Sequence, residues 1–438
     1  MISIIVPTFN GEKTIRKTIT NIIESATHLN YELIVVNDGS TDSSLQILNE
    51  LKTNGNIKVI NQDNRGVSSA RNTGIQNISK KSKYITFIDD SDLISKNFLS
   101  DGIQFLRDYK DVDLAICRIE KLTNNVLEDH NLNFRFNNMS HKVNIINAPE
   151  MIHYHMGGVV FRSALFLEEK FRFDEEISFW EDAKLINSIL LEKKKYGLLK
   201  ESVYYYNRDP HNSLTIQSWN DEKRYKYHIE KNYRELVIKS IDLYGKVIDY
   251  IQFLIASHYL QFIIKSNSDL INKDYIKQDS DFLYASKQIF NYIDTDVIEN
   301  LRTSYFYKSI LFKLKELEYN TELNKSEIKV YGQKYDFLRQ KLYFSFSKEI
   351  EKIDSDYQVY KRTKFLTNQV ANLINEEYYI EPLFNKKNTI NKVFMVHLNI
   401  FESLFDQKFI IINSSKNINI EITSKSLVKR TLKRILKR

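Results

Sequence analysis

Three carboxylates follow a buried strand directly, and their spacing could hold a metal ion. The segment Phe87–Asp92 has the sequence FIDDSD, so Asp89, Asp90 and Asp92 come straight after an apolar run. Mg²⁺ and Mn²⁺ prefer oxygen ligands, typically one or two carboxylates together with substrate phosphates. Aspartates also initiate turns and cap helices, and Asp92 could cap a helix that begins near Ser95. The motif by itself leaves both interpretations open.

The elements that would position these acids alternate between strand and helix over the first 120 residues. The predicted strands cover residues 2–6, 31–36, 57–60, 84–88 and 113–119, and the predicted helices cover 11–26, 43–51 and 66–78. Continuous apolar strands that alternate with helices predict a mostly parallel sheet covered on both faces. Ligands of such sheets bind at the carboxyl ends of the strands. Polar residues gather at those ends, so a binding site is predicted there.

Four segments at these strand ends resemble, in order, the motifs of inverting glycosyltransferases of family 2. They are Ile4–Asn10 (IIVPTFN), Glu32–Asp42 (ELIVVNDGSTD), Asn64–Gly74 (NRGVSSARNTG) and Asp89–Asp92 (DDSD). The resemblance is close over about residues 1–120, looser over 150–216, and absent from the second half. It implies a GT-A fold, which is an α/β fold with a Rossmann-like, mostly parallel sheet, and an enzyme that transfers a sugar from a nucleotide-sugar.

The resemblance implies roles for the residues on the nucleotide side. Pro7, Thr8 and Phe9 would line the nucleotide pocket, with Phe9 against the base. Asp38 would hydrogen-bond the uracil or the ribose. The competing interpretation of Asp38 is a turn-forming aspartate in the sequence Asn-Asp-Gly-Ser.

The same resemblance implies roles on the diphosphate side. Asn64 and Arg71 would help hold the base edge or the diphosphate, although Arg71 could instead be a surface arginine of a helix. Asp90 would contact the ribose or the sugar. Asp92, with Asp90, would bind Mn²⁺ or Mg²⁺ as the cofactor.

A second motif, Phe179–Leu185 (FWEDAKL), resembles the Glu-Asp pair of the same family. Transfer to a hydroxyl requires a base, because alcohols are poor nucleophiles at neutral pH, and a carboxylate within hydrogen-bond reach supplies one. The resemblance implies that Asp182 is the base and that Glu181 orients the acceptor or the base. Trp180 is interpreted as an apolar platform for a sugar ring. The alternative is a plain helix N-terminus, where acids are favoured by the helix dipole.

Histidines and a polar loop supply weaker candidates. Relatives often carry a loop that closes over the diphosphate, and Arg208 and Ser213 would act there by stabilising charge on the leaving nucleotide. His211 is a candidate metal ligand, with an exposed loop histidine as the alternative. His153 and His155 receive no assignment.

Composition restricts the protein class. The chain has 438 residues and one cysteine, Cys117, which excludes an intramolecular disulfide. No apolar run approaches the ~20 residues that span a bilayer. The N-terminus has no basic segment and no small-residue cleavage site, so a cytoplasmic location is expected, peripheral on the inner face of the cell membrane if the tail docks there.

The second half differs from the first in its sequence pattern. We predict a catalytic domain over residues 1–218, a helical domain over 219–375, and a small mixed region over 376–438. The fold class is therefore α/β with a mainly helical C-terminal extension. Residues 219–438 could bind the acceptor polymer, form a homo-oligomer or dock on a membrane, and the sequence does not separate these.

The net charge of +7 comes from the last 14 residues, 425–438, which contain seven Lys or Arg and no acid. A basic nucleic-acid surface elsewhere is therefore not expected. A short basic amphipathic helix suits an anionic membrane surface. A disordered, solubilising tail is the alternative.

Together these features predict a metal-dependent inverting enzyme that moves a sugar, a hexose or an N-acetylhexosamine, from a UDP-sugar to a hydroxyl. The expected acceptor is a bacterial cell-surface polysaccharide, a teichoic acid or a glycoprotein glycan. A sugar-phosphate nucleotidyltransferase is the first rival, but it would need a Gly-rich N-terminal loop, and only Gly11 is present. A non-catalytic carbohydrate-binding scaffold is the second rival.

Overall fold

The structure is a computed structural model. It describes the chain except at residues 53–54, 124–125, 138–139, 168–169, 208–217, 267–270, 304, 318, 320–329, 337, 347–357, 363–367, 382–385, 400, 403–404, 414–417 and 425–438.

A sheet of ten strands dominates the N-terminal half, with its helices between consecutive strands. The strands are β1 (Ile2–Thr8), β2 (Tyr31–Asp38), β3 (Ile57–Gln62), β4 (Tyr84–Phe87), β5 (Leu93–Ile94), β6 (Leu114–Thr123), β7 (Val126–Asp129), β8 (Lys142–Asn144), β9 (Val159–Arg162) and β10 (Lys195–Asn207). The helices are α1 (Ile15–Ser25), α2 (Ser44–Leu51), α3 (Val67–Gln76), α4 (Phe98–Asp108), α5 (Ala164–Leu167) and α6 (Glu181–Lys193).

The predicted parallel sheet is confirmed in its central part. The strand order is β3-β2-β1-β4-β9-β6-β10-β5, and the first four strands in this order are all parallel. Strand β9 runs antiparallel between β4 and β6, and β10 is again parallel to β6. All seven residues of β1 are buried, as expected for a strand covered on both faces. Helix α1 packs Ile15, Ile19 and Ile22 into the same core.

Helices follow the sheet domain, and the last helix among the described residues ends at Leu314. They are α7 (Lys226–His228), which continues through a π-helical turn at Ile229–Tyr233 into α8 (Arg234–Tyr244), then α9 (Asp249–Lys265), α10 (Asp281–Phe290), α11 (Thr295–Glu299) and α12 (Tyr305–Leu314).

Strands form from residue 330 onwards, so the prediction of helix over residues 325–375 is wrong for the described residues of that range. They are β11 (Val330–Asp336), β12 (Lys341–Phe346), β13 (Gln358–Arg362), β14 (Asn368–Val370), β15 (Asn372–Glu381), β16 (Lys386–His397), β17 (Gln407–Asn413) and β18 (Ile418–Ser424), in two four-stranded antiparallel sheets. Leu342 and Phe344 are buried while Lys341 and Tyr343 are partly exposed. That alternation has period two, which is the strand period.

The chain divides into two compact units, and the first extends beyond residue 218. It comprises Met1–Tyr259, Leu270–Tyr275 and Tyr284–Val297, and the second comprises Leu260–Asp269, Ile276–Leu283 and Ile298–Arg438. The second unit has its own core, in which Phe344, Phe394 and Phe409 are buried together. Within the described residues, no helix is both long and apolar enough to cross a bilayer.

Helix α3 lies directly on β1 because Gly74 has no side chain. A Cβ at this position would lie 2.5 Å from Cγ2 of Ile5 on the central strand. Overpacking a tight core costs about 1–3 kcal/mol. We therefore expect Gly74→Ala to lower the free energy of unfolding by about that amount, measured by urea denaturation. Gly55→Ala is the control, since its Cβ would meet no atom within 4 Å. Equal stability of the two variants would contradict this packing.

Candidate active site

The three aspartates of Asp89–Asp92 lie at the carboxyl end of β4, beside the end of β1. The Ile88 amide donates to the carbonyl of Ile5, which carries the chain past the strand end. The Asp92 amide then donates to the carbonyl of Asp89 at 3.0 Å, which closes a turn. The acids are therefore held close together at the edge where the sheet was predicted to bind a ligand.

Asp90 is half-buried against the loop that follows β1. The Thr8 hydroxyl donates to Oδ2 of Asp90 at 2.5 Å. Burial, with Asp89 and Asp42 adding negative charge, raises the pKa of Asp90 to about 6 even though Thr8 acts in the opposite direction. Gly11 is needed for this approach, because a Cβ there would lie 2.4 Å from Oδ2 of Asp90.

Asp92 is fully buried, and both of its oxygens accept hydrogen bonds from the protein. The Tyr204 hydroxyl donates to Oδ2 at 2.7 Å, and the Asn207 amide donates to Oδ1 at 2.8 Å. Burial, followed by the charge of Asp89, raises the pKa of Asp92 well above its usual range. Asp92 does not cap a helix, because α4 begins at Phe98.

A buried arginine connects these acids to the second motif. Nη2 of Arg71 lies 2.8 Å from Oδ1 of Asp89, and Nη1 lies 2.8 Å from Oε1 of Glu181. Only 5% of the Arg71 side chain is exposed, and its guanidinium lies 5.1 Å from the ring centre of Phe173. Arg71 is therefore neither a surface residue nor open to a diphosphate in this conformation. It pairs with one acid at the end of β4 and one acid at the start of α6.

Glu181 and Asp182 occupy the first turn of α6, and both have raised pKa values. Burial, followed by the charge of Asp182, raises the pKa of Glu181 to about 7, against the lowering effect of Arg71. Burial also raises the pKa of Asp182, while Arg71 and two backbone amides lower it. Those amides belong to Ala183, at 2.7 Å from Oδ1, and Met156, at 3.3 Å from Oδ2. A carboxylate whose pKa is raised towards 7, as that of Glu181 is, can accept a proton near neutral pH.

Asp38 organises the loop that contains Asn64. Its Oδ1 accepts from the Gln62 side chain at 2.8 Å and from the Arg65 amide at 3.0 Å, and its Oδ2 accepts from the Gly66 amide at 2.8 Å. In this structure Asp38 therefore anchors the start of α3. Asn64 itself is exposed, and its side chain accepts weakly from the Gly66 amide at 3.3 Å.

The predicted nucleotide-side residues differ in exposure. Pro7 and Thr8 are buried in β1, whereas 48% of Phe9 is exposed. An exposed phenylalanine beside Asp90 can offer its ring to a base, as the resemblance implies.

Several candidates lie elsewhere or outside the described residues. Arg208, His211 and Ser213 all fall in residues 208–217, which the structure does not describe. His153 is fully buried, with Nδ1 2.7 Å from Nη1 of Arg135. Trp180 is 5% exposed and stacks on His258. It therefore offers no open face, and the interpretation of this residue as a platform for a sugar is wrong for this structure.

A divalent cation fits the chemistry of the aspartate cluster, although the protein does not build a complete cage. Asp90 and Asp92 would supply carboxylate oxygens. Burial is the main cause of their raised pKa values, and the negative charge of Asp89, which also raises them, is one that a cation would offset. In the part of the chain that the structure describes, no three His, Cys, Asp or Glu side chains are arranged around a metal position. Mg²⁺ and Mn²⁺ commonly take one or two protein carboxylates and complete their shell from phosphates and water.

Three contributors were missed in the sequence. Asp89 was part of the aspartate run but received no role, and it is the partner of Arg71. Tyr204 holds Asp92 through its hydroxyl. The Met156 amide contacts Asp182. Only Asp89 had a local signal, since the other two contacts join residues far apart in the chain.

Comparisons with known proteins show which family the chain belongs to. The model of the family "Glycosyl transferase family 2" matches residues 3–169. The minor teichoic acid biosynthesis protein GgaA of Bacillus subtilis is 35% identical over 329 residues, which is 74% of this chain and 73% of GgaA. The chain belongs to glycosyltransferase family 2. It is a sugar-transferring enzyme, and the interpretation as a non-catalytic scaffold is not favoured.

Solved structures confirm the fold. Residues 1–349 of S. aureus TarS, in complex with UDP-GlcNAc, match with a TM-score of 0.56 at 18% identity, over 72% of this chain and 87% of that one. A longer TarS structure matches with a TM-score of 0.61 at 16% identity, over 96% of this chain and 77% of that one. The family 2 enzyme therefore has the predicted GT-A-like α/β sheet, followed by helices and small sheets.

The Arg71 pairing predicts a pH-dependent loss of stability in Arg71→Met. Removing one partner of a buried pair costs about 3–5 kcal/mol when the other stays charged. The pKa of Glu181 is about 7, above its ordinary value of 4.5, and it would rise further without Arg71, which lowers it. Because its folded pKa is raised, its ionisation destabilises the fold increasingly as the pH rises above about 4.5. We expect the full loss at about pH 8.5 and a smaller loss at about pH 5.5, measured by urea denaturation.

The control for this comparison is Arg16→Met. Arg16 pairs with Glu50 on the surface, where both side chains are about half exposed. Exposed pairs contribute about 0–1 kcal/mol. An equal loss for Arg71→Met at both pH values would show that the effect is one of packing and not of the charge on Glu181.

Proposed function

We propose that the chain transfers a sugar from a UDP-sugar to a hydroxyl of a teichoic-acid-type cell-surface polymer, with inversion at the anomeric carbon. The observation that carries the proposal is the Arg71 bridge. It ties a candidate base helix, α6, to the aspartates at the carboxyl end of β4. The name of GgaA and the UDP-GlcNAc bound by TarS support the substrate class. The donor sugar is proposed to be a hexose or an N-acetylhexosamine.

Asp182 is the proposed base. It would accept the acceptor hydroxyl proton as the oxygen attacks the anomeric carbon, and the nucleoside diphosphate would leave from the opposite face. Its two backbone hydrogen bonds fix the carboxylate direction without neutralising it. Glu181, held by Arg71, would orient the acceptor or the base.

Donor binding is proposed for the loops after β1, β2 and β3. Phe9 would stack on the base, and Asp38 would hold the loop that presents Asn64. Arg208, His211 and Ser213 remain proposed contacts of the diphosphate. A Mn²⁺ or Mg²⁺ ion held by Asp90 and Asp92 would supply Lewis-acid stabilisation of the leaving diphosphate.

The C-terminal half is proposed to serve the acceptor. Residues 1–218 contain every predicted catalytic and donor residue, so residues 219–438 remain for polymer binding, for a homo-oligomer or for membrane docking. The basic tail, residues 425–438, lies outside the described residues. Its composition supports attraction to an anionic membrane surface, at about 1 kcal/mol per basic residue, and no nucleic-acid partner is proposed.

Asp182→Asn tests the assignment of the base. Loss of a general base lowers turnover about 10²–10⁴-fold, and the amide is nearly the same size, so donor binding is expected to persist. The measurement is UDP release from a panel of UDP-sugars with a teichoic-acid acceptor, together with calorimetric UDP binding. Asp242→Asn is the control, because Asp242 is an exposed aspartate of α8. Full turnover in Asp182→Asn would exclude Asp182 as the base.

The proposed role of Asp90 as a metal ligand predicts that donor binding depends on both metal and pH. We expect UDP with Mn²⁺ to raise the melting temperature, and EDTA to remove most of that increase. Asp90→Asn should lose the metal-dependent part while keeping its own fold. Because Asp90 has a pKa of about 6 and must be ionised to bind a metal, the increase should shrink as the pH falls below about 6. An equal rise in melting temperature with and without metal would exclude a metal site at Asp90.

A further inference from the structure

The residue before the Glu181–Asp182 pair has an unusual backbone conformation. Trp180 is the N-cap of α6, with φ 69° and ψ 19°, in the left-handed region. A bulky residue rarely adopts this conformation, and it persists only where the surroundings hold it. Whatever holds Trp180 therefore also sets the direction in which α6 begins.

Aromatic and histidine rings hold the Trp180 indole. Its ring is stacked on His258, with centroids 4.8 Å apart and planes 27° from parallel. The rings of His228 and Tyr233 contact it edge-on at 5.3 and 5.4 Å. The Tyr233 oxygen lies 2.5 Å from Nδ1 of His258. Burial lowers the pKa of His258 to about 3, so the ring is neutral near pH 7 and able to accept that hydrogen bond.

The preceding residue is held by the same helices. The Asn232 side chain donates to the carbonyl of Phe179 at 3.3 Å and lies 2.7 Å from Nδ1 of His228. Asn232 and Tyr233 belong to the π-helical turn between α7 and α8, and such turns are frequent at functional sites. All of these partners lie beyond residue 169, where the match to the family model ends.

We propose that Trp180 and His258 are positioning residues, whose stacked rings hold the left-handed turn that aims the Asp182 carboxylate. The inference rests on the proposed transfer reaction, in which Asp182 is the base. The amides of Met156 and Ala183 also donate hydrogen bonds to the Asp182 carboxylate. The ring stack constrains the start of α6 from the side of Trp180. Loss of the ring stack or of the two amide hydrogen bonds would therefore displace the same carboxylate.

The expected kinetic signature is a fall in kcat with little change in the donor KM. A displacement of about 1 Å at a reacting group can cost about 10²-fold in rate. The proposed donor residues Phe9 and Asp38 belong to β1 and β2 and their loops, so donor affinity should change less than about threefold. A variant that is merely unstable would instead lose both parameters with the folded fraction.

His258→Ala and His258→Phe test the stack in the full-length chain, by UDP release with a teichoic-acid acceptor. We expect His258→Ala to lose kcat about 10²-fold and His258→Phe, which keeps a flat partner, to recover most of it. Tyr284→Ala is the control, since Tyr284 is 69% exposed on α10. Should His258→Ala fail to fold, Tyr233→Phe removes only the hydroxyl that faces His258, and about a fivefold fall in kcat is expected.

Fluorescence gives a readout that does not depend on activity. The chain has two tryptophans, Trp180 and Trp219, so Trp219→Phe leaves Trp180 as the single reporter. In that background His258→Ala should shift the Trp180 emission to the red, because the indole becomes hydrated, and His258→Phe should restore the parent spectrum.

The measurements of kcat and of Trp180 emission distinguish failure of the proposed function from failure of the positioning role. No transfer by the wild-type chain to any acceptor would defeat the proposed function, and the emission shift would then decide whether His258 holds Trp180. Unchanged kcat in a folded His258→Ala would overturn the positioning role. An unchanged emission maximum would overturn the stack itself.

Discussion

The site depends on one buried cation. The Arg71 guanidinium, 5% exposed, lies 2.8 Å from acids on two elements that are distant in sequence, Asp89 after β4 and Glu181 on α6. Ionised carboxylates that are taken out of water together repel one another and lose solvation, so they need a compensating charge. The position of Arg71 is set in turn by α3, which approaches β1 closely because residue 74 is glycine. The packing of the sheet thus determines where the acids can meet.

One cation does not neutralise the whole acid cluster, and the remaining charge is chemically useful. Burial raises the pKa of Glu181 to about 7 and that of Asp90 to about 6. Groups with such values exchange protons or bind cations near neutral pH, whereas ordinary carboxylates are fully ionised. Their ionisation opposes folding, so the fold carries a stability cost at this site. Burial of the apolar sheet around β1 offsets that cost. Destabilising features of this kind cluster at the active sites of enzymes.

The sequence was sufficient for β1 to β4 and for β6 because their signal is local. Strands such as β1 and β2 are continuous apolar runs, and the polar residues that end them identify the binding edge without any tertiary information. The Arg71–Glu181 pair joins residues 110 positions apart, and Tyr204 and Asp92 are 112 apart. Nothing in the local pattern specifies such partners. The prediction of helix failed for the strands between residues 330 and 375 for a related reason, since lysine and tyrosine occur in both helices and strands and only the alternation of burial distinguishes them.

In the proposed site, the donor residues and the base are held by different elements of the fold. The proposed donor residues from Pro7 to Asp92 lie within the segment that matches the family model, whereas Arg208, His211 and Ser213 lie after it. The proposed base lies on α6, after that segment, and its N-cap is packed against helices that continue to Tyr259 in the same compact unit. Changes in those helices can alter the direction of the base without disturbing the nucleotide side. Acceptor choice is therefore expected to evolve through residues after 169, while the strand-end motifs stay tied to the donor.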